Sequence, residues 1–145
     1  MRFMMILKTT PAAEKVAQAA GMTAELIDAM GKLNSDMVKA GVLLGGDGLA
    51  ASDTATTVEI TESDAVVLDG PFAETKELIA GFWILQVSSQ EEAVEWAKRI
   101  PSPGGVTTVV EVRRIVEADD FGDEFTPEAR AAEDRLRDTI AAQHG

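Results

Sequence analysis

Two apolar, strand-forming runs, Ala65 to Leu68 and Leu78 to Val87, are separated by the nine residues Asp69-Gly70-Pro71-Phe72-Ala73-Glu74-Thr75-Lys76-Glu77. Asp69-Gly70-Pro71 carries strong turn chemistry: glycine tolerates unusual backbone angles, proline fixes φ, and the residue before proline is pushed out of the helical region. The chain therefore has to reverse here between two strands. A bare turn needs no more than that, yet Glu74, Thr75, Lys76 and Glu77 add four charged or hydroxyl side chains in succession.

The elements on either side follow from periodicity and caps. Residues 2 to 8 predict a first strand, apolar on both faces and hence central in a sheet. Thr10-Pro11 supplies an N-cap and an N1 proline for a short helix that Gly21 can stop. Thr23 opens a longer helix with Leu26, Met30, Leu33 and Met37 on one side, and Gly41 ends it. Val42 to Ala51 predicts a strand bent by Gly45, Gly46 and Gly48. In the next segment Thr56, Val58 and Ile60 alternate with Thr57, Glu59 and Thr61, the signature of a half-buried strand, and Glu62-Ser63-Asp64 turns it into a hairpin.

Gly81 to Val87 is strongly β-prone. Ser89 with Glu92 forms a capping box for a helix that turns Ala93, Trp96 or Ala97, and Ile100 inward and ends at Pro101. Val106 to Glu117 alternates again, with Val110, Val112 and Val116 on one face and Glu111, Arg113 and Glu117 on the other. Thr126-Pro127 caps a last helix with a thin stripe of Ala129, Ala132, Leu136 and Ile140, supported by Arg130–Asp134 and Glu133–Arg137 pairs. This order predicts an α+β fold, a ferredoxin-like antiparallel sheet with helices on one face, followed by a C-terminal helical arm. The expected division is residues 1–118 for the main domain and 119–145 for an acidic linker and helix.

At 145 residues the chain suits one principal core. No run approaches the roughly 20 apolar residues that cross a bilayer, so no membrane span is expected. Net charge is -12, which repels a phosphate backbone and argues against direct nucleic-acid binding. The absence of cysteine removes disulfides, thiolate nucleophiles and zinc–thiolate sites together, and fits a cytoplasmic setting. The single histidine is His144, next to the last residue, and there is no tyrosine, which argues against Ser-His-Asp catalysis and histidine metal sites. No cofactor and no metal is expected.

Carboxylates remain as candidates. Asp47 lies in a glycine-rich stretch where backbone can approach a ligand closely, and reads either as a base or ligand acceptor, or as a turn aspartate bonding its own backbone. Asp69 reads as a turn former that receives the Phe72 amide or a neighbour, or as a catalytic or ligand-binding carboxylate. Glu74 and Lys76 fall on the same side of an extended segment and offer either a salt bridge or a paired acid and cation for a polar ligand. Phe72 and Trp83 either line a pocket or belong to the core.

The Asp69–Glu77 segment, together with Gly41-Val42-Leu43-Leu44-Gly45-Gly46-Asp47-Gly48-Leu49 and Glu95-Trp96-Ala97-Lys98-Arg99-Ile100-Pro101, resembles the YCII-related or DGPF-domain family over about residues 1 to 118. That resemblance implies pairing of such sheets into a dimeric α/β barrel, and hence a homodimer. In some members a histidine near the first helix and an aspartate in the following glycine-containing strand are proposed as a catalytic pair. Asp47 matches the aspartate, but residues 1 to 143 hold no histidine, so the pair is broken and the sequence names no reaction. The resemblance also implies an association with alternative sigma factors. Two readings follow: a dimer binding a small polar molecule near Asp47, Asp69, Glu74, Lys76 and Trp83, or a non-catalytic accessory that contacts proteins in transcriptional regulation.

Overall fold

A computed structural model describes residues 1–70, 77–103 and 107–145. Two compact units emerge, Met1–Arg114 and Ile115–Gly145. The first begins with β1 (Arg2–Thr9), then α1 (Pro11–Ala20), α2 (Ala24–Lys39), β2 (Leu43–Gly48), β3 (Thr56–Ile60), β4 (Ala65–Asp69), β5 (Leu78–Gln86), α3 (Gln90–Ala97) and β6 (Val109–Arg114). The second holds a 3-10 stretch, Ala118–Glu124, and α4 (Pro127–His144).

Local signals set the helix ends. Thr10, Thr23 and Ser89 each accept a backbone N–H with their side-chain oxygen, from Ala13, Leu26 and Glu92 respectively, at 3.1 Å in every case. Glu92 returns to Ser88, accepting both its amide and its hydroxyl, rather than to the cap residue itself. Gly21 and Gly41, at φ 71 and 74, end α1 and α2 in a backbone region costly for other residues. α3 stops at Ala97, short of Pro101.

Four strands pair in the order β2-β5-β1-β6, every pair antiparallel. β1 is central, as its two-faced apolar pattern predicts. Phe3 and Met5 on β1, Trp83 and Leu85 on β5, and Val110 and Val112 on β6 share a face with Leu33 and Met37 of α2 and Ala93 of α3. Phe3, Met5, Met37 and Leu85 are almost wholly buried there, each contributing roughly 1.5–3 kcal/mol of transfer free energy. Asp36 ties α2 to the end of α3 through Arg99, whose guanidinium also lies 4.7 Å from the Trp96 ring centroid.

The sheet departs from the sequence pattern in three places. Within the single chain it stays open, with no closed barrel among the described residues. β3 and β4 form a separate two-stranded sheet in which every residue is exposed, so the alternation in Thr56–Ile60 does not mark a half-buried strand. The pattern specifies pairing, but among the described residues neither strand of the hairpin has a buried side chain. Finally, β6 ends at Arg114, which leaves Val116 outside the strand and more than half exposed.

In the second unit Thr126 caps α4 by accepting the Ala129 amide at 3.1 Å. The Glu133–Arg137 pair forms at 2.9 Å, whereas Arg130 turns away from Asp134 to Asp119 at 3.0 Å. No residue of α4 is buried. No helix is long and apolar enough to cross a membrane among the described residues.

Candidate functional site

Strand register brings together residues that are far apart in sequence. Asp47 on β2 pairs with Phe82 on β5, Phe82 with Ile6 on β1, and Ile6 with Glu111 on β6, so the four form one rung across the sheet. Because neighbours in register share a face, this rung lies opposite the face packed by α2 and α3. Asp47 and Glu111 sit at its two ends, three strand spacings or about 14 Å apart, with an apolar floor between them. The adjoining rung runs Gly45, Ile84, Met4, Arg113, and on the other side Lys8 pairs with Ile79 and Val109.

Glu111 is the best-held charge on this face. Lys8 places its Nζ 3.0 Å from Glu111 Oε1 and 3.2 Å from Glu77 Oε2, while the Arg113 guanidinium contacts Glu111 Oε2. Oε2 has no well-formed hydrogen bond in this arrangement, so its link to Arg113 is an ion contact of poor direction. The hydrogen bond from Lys8 holds the Glu111 carboxyl below its usual 4.5, and the same bond, joined by one to Glu77, raises Lys8 above 10.5. Glu111 is therefore an ionised acceptor at neutral pH.

The five residues singled out from sequence do not all converge. Asp47 is exposed at the β2 edge of the rung. Two glycines make that edge approach possible: a Cβ on Gly46 would stand 2.6 Å from the Phe82 carbonyl oxygen, and one on Gly81 3.1 Å from that of Asp47. Asp69 ends β4 and accepts from the Thr56 hydroxyl at 3.2 Å, while Gly70 donates to the Ala55 carbonyl, so this aspartate closes the base of the hairpin. Glu74 and Lys76, and the expected Phe72 amide contact, lie outside the described residues. Trp83 is buried on the α2 side, where its Nε1 donates to Asn34 Oδ1 at 2.9 Å; it stands across the β5 backbone from Asp47.

Lys8, Glu111 and Arg113 were not among those five. The period-two alternation already put Glu111 and Arg113 on one side of their strand, but only the β1–β6 pairing joins them to Lys8. Chemically the rung offers an exposed carboxylate, an apolar strip that suits a ring or alkyl segment, and a clamped carboxylate that accepts hydrogen bonds. Among the described residues no group of His, Cys, Asp and Glu is arranged to hold a metal ion. A separate hollow of about 410 Å³ lies in the second unit, lined by Phe125, Arg130, Asp134 and neighbours.

The sequence profile of the YCII-related domain matches residues 1–119, which includes the whole four-stranded sheet and both ends of the rung. The chain belongs to the YCII-related family. It is also similar to an uncharacterised protein, R00369, of Rhizobium meliloti (strain 1021), at 36% identity over 78 residues, or 54% of this chain. The match spans 63% of that relative's length. All of α4, and the 3-10 stretch from residue 120 on, thus fall beyond the YCII-related match.

Proposed function

We propose that this YCII-related chain is a homodimer that binds a small polar molecule on the sheet face carrying the Asp47–Glu111 rung. Asp47 is the candidate base, Asp69, Glu74 and Lys76 are candidate polar contacts, and Trp83 supports the site from behind by fixing the strand that carries Phe82. The observation that carries the reading is the rung itself, two carboxylates flanking Phe82 and Ile6, one of them held ionised by Lys8. Functional side chains on a rigid sheet, beside a glycine-rich edge that admits close approach, are the arrangement expected of a binding site.

The strand order β2-β5-β1-β6, with α2 connecting β1 to β2 and α3 connecting β5 to β6, favours a ferredoxin-like topology. Partly exposed Met4, Phe82 and Ile84 favour pairing with a second sheet as a dimeric α/β barrel. Residues 119–145 are then an appended arm, and the cysteine-free chain suits a cytoplasmic setting. A second reading, a regulatory accessory in sigma-factor-dependent transcription, is favoured by α4, where Leu136 and Ile140 are both more than half exposed.

Native mass spectrometry of protein purified from its own cells tests the first reading. A co-purified small molecule retained by the wild type and lost from Asp47→Asn, with the fold intact, is expected. Retention that is equal in both, or no small molecule in either, removes Asp47 from the site.

A further inference from the structure

Asp47 has no structural task among the described residues. Its side chain is exposed and takes no hydrogen bond or ion pair from any of them, so it does not close a turn. Aspartate is depleted in strands, yet this one stands in β2 between Gly46 and Gly48. Two places back on the same face, a Cβ on Gly45 would meet nothing within 4 Å, which leaves an open recess beside the carboxylate. Across the strand gap Asp47 pairs with Phe82 and Gly45 with Ile84, both partly exposed. Asp47 therefore lies one cross-strand spacing, about 5 Å between Cβ atoms, from an aromatic side chain on its own face.

The cations of this face are already paired. Lys8 holds Glu111 and Glu77 at 3.0 and 3.2 Å, Arg113 contacts Glu111, and Arg2 at the start of β1 is engaged as well. Among the described residues of the face, the charged side chain left without a partner is Asp47. An anionic ligand would have to break one of these pairs and lie beside a carboxylate, whereas a cationic one needs neither. The net charge of -12 draws cations towards the chain and repels anions. A bare metal ion is poorly served, because Glu111 is about 14 Å away along the rung and no described group of carboxylates is arranged to hold one.

We infer that the ligand of this site is an organic cation, an alkyl- or arylalkylammonium, whose charge sits between the Asp47 carboxylate and the Phe82 ring and whose apolar body fills the Gly45 recess against Ile84 and towards Ile6. The carboxylate supplies the counter-charge, the face of the ring attracts the same cation through its quadrupole, and the apolar body displaces water from the strip. This inference rests on the proposed ligand site and assigns the charge and shape of what binds there.

Isothermal titration calorimetry of the full chain with three probes of one shape tests it: phenethylammonium, 2-phenylethanol and 3-phenylpropionate. At about 0.15 M salt, loose attraction to the acidic surface is screened. Phenethylammonium should bind at least about tenfold more tightly than 3-phenylpropionate, with the alcohol between them. Asp47→Asn should abolish that preference, and Phe82→Leu should cut the advantage of the ammonium over the alcohol about two- to fivefold. Circular dichroism checks that both variants keep the fold. Equal or tighter binding of 3-phenylpropionate overturns the inference, as does binding of none of the three at millimolar concentration. A preference that survives in Asp47→Asn assigns it to the overall acidity of the chain and overturns it too, and an unchanged ratio in Phe82→Leu overturns the placing of the charge against the ring. A co-purified molecule that is lost from Asp47→Asn but proves neutral or anionic overturns the cation and keeps the site, whereas equal retention in Asp47→Asn removes both.

Discussion

Lys8 on β1 reaches 3.0 Å from the Glu111 carboxylate on β6 and holds it ionised on the rung face of the sheet. Since the folded-state value of Glu111 lies below its ordinary 4.5, the stabilisation is full above that pH and is lost as pH falls through the lowered value. Lys8, raised above 10.5, contributes fully below that pH and loses its share as pH rises through the raised value. The stability gap between wild type and Lys8→Met, measured by urea denaturation, should therefore be present at pH 7 and shrink towards pH 3. In Lys8→Met, a carboxyl NMR titration should find Glu111 closer to its ordinary value. A gap independent of pH would show that the pair does not contribute through its charges.

The Trp83 indole N–H and Asn34 Oδ1, 2.9 Å apart, join β5 to α2. Either Trp83→Phe or Asn34→Leu leaves one partner unpaired in a largely buried place and should cost about 1–3 kcal/mol. In a double-mutant cycle the two changes should be coupled by about 1 kcal/mol, because the second removes a group the first has already stranded. Additive losses would mean that the bond carries no stability.

Gly46 and Gly45 are adjacent yet should respond differently. A Cβ on Gly46 meets backbone, the Phe82 oxygen at 2.6 Å and Trp83 Cα at 3.0 Å, whereas one on Gly45 meets nothing within 4 Å. Gly46→Ala should cost about 1–3 kcal/mol as an overpacking change, and Gly45→Ala less than about 0.5 kcal/mol. Equal melting temperatures for the two variants would show that β2 shifts away from β5 freely.

Thr23 begins the helix whose Leu33 and Met37 enter the core. Losing its side-chain bond to the Leu26 amide in Thr23→Ala should lower global stability by about 1 kcal/mol, and Thr23→Asp should restore it. Failure of aspartate to rescue would point to packing rather than capping as the role of Thr23.

Sequence alone determined the elements of this protein, because the signals that start and stop them act within a few residues. Thr10, Thr23, Ser89 and Thr126 cap the helices predicted from them, and Gly21 and Gly41 end two of those helices at positive φ. The family was also legible, since its motifs around Gly45-Gly46-Asp47 and Asp69-Gly70-Pro71 are contiguous. Which residues meet was decided only by tertiary structure. Strand side chains alternate, so a one-residue change of register exchanges faces, and register is set by pairing over tens of residues rather than by local sequence. That pairing turned Trp83 towards Asn34, set Asp47 behind it on the opposite face, joined Lys8 to Glu111 across a span of about a hundred residues, and left the alternating Thr56–Ile60 strand exposed.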